Sequence, residues 1–254
     1  MTNQEIAFAE IQKAIDTIRE GHMVIMVDDE DRENEGDLVF AAEHVTDQMI
    51  NFMTKEARGL ICLTLDEETI DRLELPMMED STKPESERST AFTVSIEARE
   101  GVTTGISAAD RAQTVRVAVK EGATSKDISV PGHIFPLKAR PGGCLERAGH
   151  TEGSVDIARL AGMGSSAVIC EIMNDDGTMA RMPDLEIFSK KHNIPIITIA
   201  DLITFRLMKE SLVTPIKTAP VKTQFGTFSS TLFKSEIDGS THLAITKGDN
   251  FSEK

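Results

Sequence analysis

Short apolar runs alternate with segments of helical period from the N-terminus to about residue 208, and this alternation points to an α/β (mixed α+β) layer fold around one core. Phe8, Ile11, Ile15 and Ile18 recur at helical spacing ahead of Gly21, predicting an amphipathic helix over 4–20. Met23-Val24-Ile25-Met26-Val27 then reads as a buried strand. Thr46 caps a predicted helix to about Glu56, and residues 60–65 form the next strand. Residues 79–89 are polar and proline-containing, hence loop, and residues 91–96 alternate in strand fashion. Ser107 with Asp110 opens a helix to about Lys120 in the manner of a capping box. A helix over 154–161, a strand over 167–172, a helix over 183–192 with Pro183 in its first turn and a strand over 194–199 complete the series.

After Met208 the pattern changes. Residues 209–220 carry Pro215 and Pro220 with no helical period and read as a linker. Residues 221–254 hold short β-like stretches and a turn at Asp238-Gly239, a tail too short to bury a core of its own.

Charge and composition exclude several classes. Lysine plus arginine number 27 and aspartate plus glutamate 42, a net charge of −15, the wrong sign for a general nucleic-acid binder. Cys62, Cys144 and Cys170 form no CxxC pair, so neither a disulfide framework nor a zinc ribbon is expected. No apolar run approaches the roughly 20 residues of a bilayer span, and residues 1–5 carry no signal-peptide features. The expected setting is cytoplasmic, with no membrane partner.

The chemistry concentrates in four segments. Residues 28–37, Asp-Asp-Glu-Asp-Arg-Glu-Asn-Glu-Gly-Asp, put seven carboxylates and one guanidinium directly after an apolar strand. Carboxylates this close repel unless solvent, arginine or a divalent ion balances them. An acidic run is most often a solvated face, but sites tend to lie where buried strands deliver loops. An EF-hand counted from Asp29 would need glycine and glutamate where Asn34 and Phe40 stand, and fails; hard oxygen ligands suit Mg²⁺ or Mn²⁺ better than zinc. The second segment, around His133, runs Pro131-Gly132-His133-Ile134-Phe135. In the third, Arg147-Ala148-Gly149-His150-Thr151 leads into a helix start, where free N–H groups with Arg147 and Thr151 suit a phosphate. The fourth places Glu171 in an otherwise apolar strand, where an unpaired carboxylate is costly unless the strand has one polar face. The glycines of residues 162–167 precede a strand where a dinucleotide fingerprint must follow one, so a Rossmann site is rejected.

Taken in order, with Thr90-Ala91-Phe92-Thr93-Val94 and residues 101–111, these segments resemble the 3,4-dihydroxy-2-butanone 4-phosphate synthase family from about Ile6 to Leu207. The resemblance implies a three-layer fold over residues 1–208 and a homodimer with sites shared between subunits. It implies a lyase of riboflavin biosynthesis that converts ribulose 5-phosphate to a four-carbon keto phosphate and formate through enediolate chemistry, with two Mg²⁺ or Mn²⁺ ions per site. Residue by residue, Glu33 and His150 match the metal ligands, with Glu35 supporting through water. Arg32, Glu33, Asp37, Arg147, Ala148, Gly149, His150, Thr151 and Glu171 match the substrate-binding positions, and His133 and Glu171 the residues required for catalysis. Asp28 and Glu30 are candidates to assist. Ala148 departs from the family's usual glycine, which matters if that backbone needs a positive φ or touches the phosphate closely, and residues 81–89 are more charged than the family's pattern. The tail, through residues 221–228 and 242–249, resembles the opening of a GTP cyclohydrolase II domain; that activity depends on zinc-binding cysteines, none follows Cys170, and it is not expected of this chain. The rival readings are another metal-dependent sugar-phosphate enzyme, such as an isomerase or aldolase, and a non-catalytic subunit.

Overall fold

A computed structural model describes residues 3–78 and 90–248. Helix α1 (Asn3–Arg19) buries Ile11, Ile15 and Ile18, each worth about 2 kcal/mol, and leads into β1 (Val24–Val27). There follow β2 (Gly36–Ala41), α2 (Asp47–Phe52) with a π-helical turn at Met53–Ala57, β3 (Cys62–Leu65), α3 (Glu67–Arg72) and β4 (Ile96–Ala98). The unit closes with α4 (Ala108–Val119), β5 (Ile128–Lys138), α5 (His150–Leu160), β6 (Ser166–Glu171), α6 (Met182–His192) and β7 (Ile196–Thr198). Helix α7 (Ile199–Lys209) follows β7 directly.

The seven strands form one mixed sheet in the order β4-β5-β3-β6-β2-β1-β7. Successive strand residues point to opposite faces, and both faces are covered. Ile25, Leu38, Phe40, Leu63 and Val168 pack against Ile50 of α2, Val115 of α4 and Leu185 of α6. Val24, Met26, Val39, Cys62 and Ile169 pack on the other side against α1, α5 and Leu202 and Phe205 of α7. The sheet therefore divides the apolar interior into two layers, where the sequence pattern suggested one core, and the three-layer arrangement is present.

Several local readings change. Strand β2 is hidden in the sequence because it starts at Gly36-Asp37, within the acidic run. Strand β5 contains Pro131, Gly132 and Pro136, which argue against a strand by propensity, yet it pairs with β3 and β4. Residues 91–95 make only isolated bridges, Met77 to Thr93 and Phe92 to Leu137, and the regular strand begins at Ile96. Helix α5 starts at His150, four residues before the predicted 154, because Gly149 serves as its N-cap and residues 150–153 are buried. Thr46, Ser107 and Pro183 cap or open their helices as expected. The loop reading of 79–89, and the charge noted there, lie outside the described residues.

A second compact unit begins at Arg206. Strands β8 (Val213–Thr223), β9 (Gly226–Ser235) and β10 (Thr241–Thr246) form an antiparallel sheet with β9 in the centre. The linker reading of 209–220 is thus corrected: residues 213–220 are strand. Pro215 and Pro220 lie on an edge strand, where a missing N–H is tolerated, and the register shifts between Pro215 and Lys217. Phe225, Leu243 and Ile245 of this small sheet are exposed.

Candidate metal centre and substrate site

The acidic run is a structured loop between β1 and β2. The Asp28 carboxylate, fully buried, accepts the backbone N–H groups of Glu33 at 3.1 Å and Glu35 at 2.8 Å, and the Arg32 guanidinium at 2.6 Å. Arg32 also meets Glu33 Oε2 at 2.7 Å, so one cation balances two of the seven carboxylates. Asn34 takes a left-handed φ of 55°, and Arg181, from the start of α6, donates to the carbonyls of Glu33 at 2.7 Å and Asn34.

This loop faces the N-terminus of α5. His150 Nδ1 lies 3.8 Å from Glu33 Oε2, and His150 Nε2 lies 4.0 Å from Asp37 Oδ1. Asp28, Glu33 and His150 each offer a ligand atom within 4.8 Å of the others. Asp37 Oδ1 and His150 Nε2 are buried with no hydrogen-bond partner among the described residues. Two orphaned polar atoms beside hard oxygens and an imidazole suit a divalent ion such as Mg²⁺ or Mn²⁺.

The charges respond to one another. The His150 imidazole, against the cost of burial and with help from Arg32, brings the Glu33 carboxyl down to about 2. Burial pushes the Asp37 carboxyl up to about 7, despite His150 beside it. Burial also disfavours a charged His150, but the carboxylates of Asp37, Glu33 and Asp28 outweigh it and raise the imidazole to about 9. A ligating imidazole must be neutral, so metal binding is expected to release a proton. Affinity for Mg²⁺ should then rise with pH up to about 9, by as much as about tenfold per unit. Calorimetric titrations in buffers of different ionisation heat measure the proton directly, and a pH-independent affinity would remove His150 from the ligand set.

Pairing of β2 with β6 sets Glu171 opposite Asp37, on the face covered by α5. Glu171 Oε2 accepts the Leu60 N–H at 2.8 Å, so this carboxylate within an apolar strand is partnered. At the entry to α5, Arg147 pairs with Glu152 at 2.7 Å, both side chains largely buried, and Thr151 is buried at the helix's first turn. Gly149 precedes them as the N-cap. Ala148 is exposed and does not adopt a positive φ, so an alanine there is not strained by its backbone conformation.

Arg32, Glu33, Asp37, His150 and Glu171 are thus drawn to one end of the sheet, with Arg147, Ala148, Gly149 and Thr151 on the adjoining turn. Glu35 is bound through its backbone to Asp28, burial raises its carboxyl, and Glu30 is exposed. His133 is not with them. It stands on β5, with β3 between it and the β6 of Glu171 and both β3 and β6 between it and β2, about 10 Å and about 14 Å across the sheet at the usual strand spacing. Its partner is Glu97. Sequence reasoning missed Glu97, Glu152 and Arg181. Only Glu152 had a signal, its position one turn into a helix behind an arginine.

No helix among the described residues is long and apolar enough to cross a membrane. The 3,4-dihydroxy-2-butanone 4-phosphate synthase profile matches residues 12–205. The riboflavin biosynthesis protein RibBA of Aquifex aeolicus is 55% identical over 249 residues, which cover 97% of this chain and 61% of that protein. The crystal structure of RibBX, a two-domain 3,4-dihydroxy-2-butanone 4-phosphate synthase from A. baumannii, superposes with a TM-score of 0.84 at 49% identity, over 94% of this chain and 70% of that one. A 3,4-dihydroxy-2-butanone 4-phosphate synthase solved with two magnesium ions gives 0.73 at 38% identity, over 78% and 97%. With a profile match across most of the chain and a shared architecture, the chain belongs to the 3,4-dihydroxy-2-butanone 4-phosphate synthase family.

Proposed function

We propose that this protein is a lyase of riboflavin biosynthesis that converts D-ribulose 5-phosphate to L-3,4-dihydroxy-2-butanone 4-phosphate and formate. The observation that carries the reading is the cluster of Asp28, Glu33 and His150 beside Asp37 and Glu171 at the start of α5. Glu33 and His150 would hold a pair of Mg²⁺ or Mn²⁺ ions, and Glu35 would support them from the same loop. When bound, the ions supply Lewis-acid positive charge where negative charge develops on the substrate's oxygens. Arg147, Thr151 and the N–H groups of α5 hold the phosphate, and Glu152 keeps Arg147 in place. That remote anchor orients the sugar toward Arg32 and Asp37. Glu171 and His133 move protons, Glu171 kept in orientation by the Leu60 N–H. The separation of His133 from this cluster favours a homodimer in which the partner subunit's copy of that strand completes the site. The protein acts in the cytoplasm on a small molecule, with neither nucleic acid nor membrane as partner.

Formate release from ribulose 5-phosphate tests the reading. Formate that disappears with EDTA and returns with Mg²⁺ is expected; turnover without formate would favour an isomerase or aldolase. The second unit is read as a GTP cyclohydrolase II-like segment dispensable for formate release. Ending the chain at Met208 should leave kcat within about twofold, since the sheet and both its apolar layers lie before Arg206. A folded, dimeric truncation that releases no formate would contradict this.

A further inference from the structure

His133 is held by an arrangement that the metal cluster does not explain. Its Nδ1 lies 2.5 Å from Glu97 Oε2 of β4. The Glu97 side chain is 12% exposed and that of His133 42%, so the carboxylate is the buried end of the pair and the ring emerges from it. The other carboxylate oxygen, Oε1, accepts from Thr114 Oγ1 of α4 at 2.9 Å. Thr114 is itself fully buried, and its oxygen accepts the Ala98 N–H at 3.0 Å, so strand and helix fix it together.

A loop closes over the pair. Asp110 accepts Thr103 N at 3.1 Å, Thr103 Oγ1 at 2.9 Å and Gly105 N at 3.0 Å, which holds residues 103–107 down. Gly105 has a φ of +87° and approaches so closely that a Cβ there would overlap both Glu97 Oε2 and His133 Nδ1. Two strands, one helix and a tied loop therefore converge on one carboxylate–imidazole contact.

A carboxylate at one ring nitrogen selects the tautomer with the proton on that nitrogen and leaves a lone pair on the other. We propose that Glu97 is a positioning residue: it holds His133 as the Nδ1–H tautomer and aims the ring so that Nε2 is the atom that accepts the substrate's proton. The proposal rests on the reading of His133 as a proton-transfer residue and extends it to a residue that touches no substrate.

The test uses the full chain with Mg²⁺, labelled with ¹⁵N, and reads tautomers from long-range ¹H–¹⁵N correlations, the His133 signals being assigned by their absence in His133→Asn. Wild type should show His133 protonated at Nδ1. In Glu97→Ala the ring should move to the Nε2–H form favoured in water, and kcat for formate release should fall about 10- to 100-fold with KM changed less than about twofold. Glu97→Gln, isosteric and still able to accept from Nδ1–H, should keep the tautomer and recover part of kcat, and it serves as the test if the alanine variant does not fold. An unchanged tautomer in Glu97→Ala, or a switched tautomer with wild-type kcat, overturns the proposal. Wild-type formate release by His133→Asn would overturn the underlying reading of His133 instead, and the two failures are told apart because the tautomer is measured without turnover.

Discussion

Glu33→Gln is expected to lower formate release by on the order of 10³-fold and to weaken Mn²⁺ binding measured by electron paramagnetic resonance in parallel. The substitution keeps the size of the side chain and removes its charge. That charge is fully developed in the native protein, because the adjacent His150 holds the carboxyl at about 2. Arg32 and His150 would both lose an anionic neighbour, Arg32 keeping only Asp28 to balance it, and the ion would lose a negatively charged ligand. The fold should be spared: the loop is organised by Asp28 and clamped by Arg181 through backbone atoms of residues 33–35, which the substitution does not touch. A Glu33→Gln protein that binds Mn²⁺ and releases formate within tenfold of wild type would take Glu33 out of the metal centre.

The largest structural effect is expected at a residue with no side chain. A Cβ at Gly132 would run into the backbone carbonyl of Ile96. The obstacle is backbone rather than the end of a flexible side chain, so Gly132→Ala can be accommodated only by forcing β4 from β5. Ile96 and Ile134, both fully buried, pair at this point. The expected cost is about 3 kcal/mol or more, read as a fall in the midpoint of urea unfolding with little change in slope. Because His133 and Glu97 follow Gly132 and Ile96 in their strands, formate release should fall even where the variant remains folded. A variant of wild-type stability would mean that the two strands are spaced more widely than described.

How far these residues could be read in advance depends on how local their causes are. The helix starts at Thr46, Ser107 and Pro183 were legible because a cap acts within one turn of its own residue. The acidic loop was legible as a dense run of carboxylates after an apolar strand, the α5 entry as polar side chains around a glycine at a helix start, and Glu171 as a lone carboxylate in an apolar strand. Strand β5 was not, since its prolines and glycine speak against a strand and only its neighbours make it one. Glu97 was illegible for a related reason: one glutamate in a short strand has no local signature, and its meaning comes from the imidazole across the pair.

The sequence by itself determined the alternation of strands and helices and the places of the acidic segment and of the segment at the α5 entry, because periodicity and capping act over short stretches of chain, and its motifs, taken in order, carried the resemblance to the family. Tertiary structure alone decided the strand order, which brings Asp37 beside Glu171 and leaves His133 across the sheet with Glu97. It also decided that residues 213–220 are strand and not linker. Pairing between distant segments is chosen by burying two apolar faces and satisfying every backbone hydrogen bond at once, a condition on the whole chain that no single window contains.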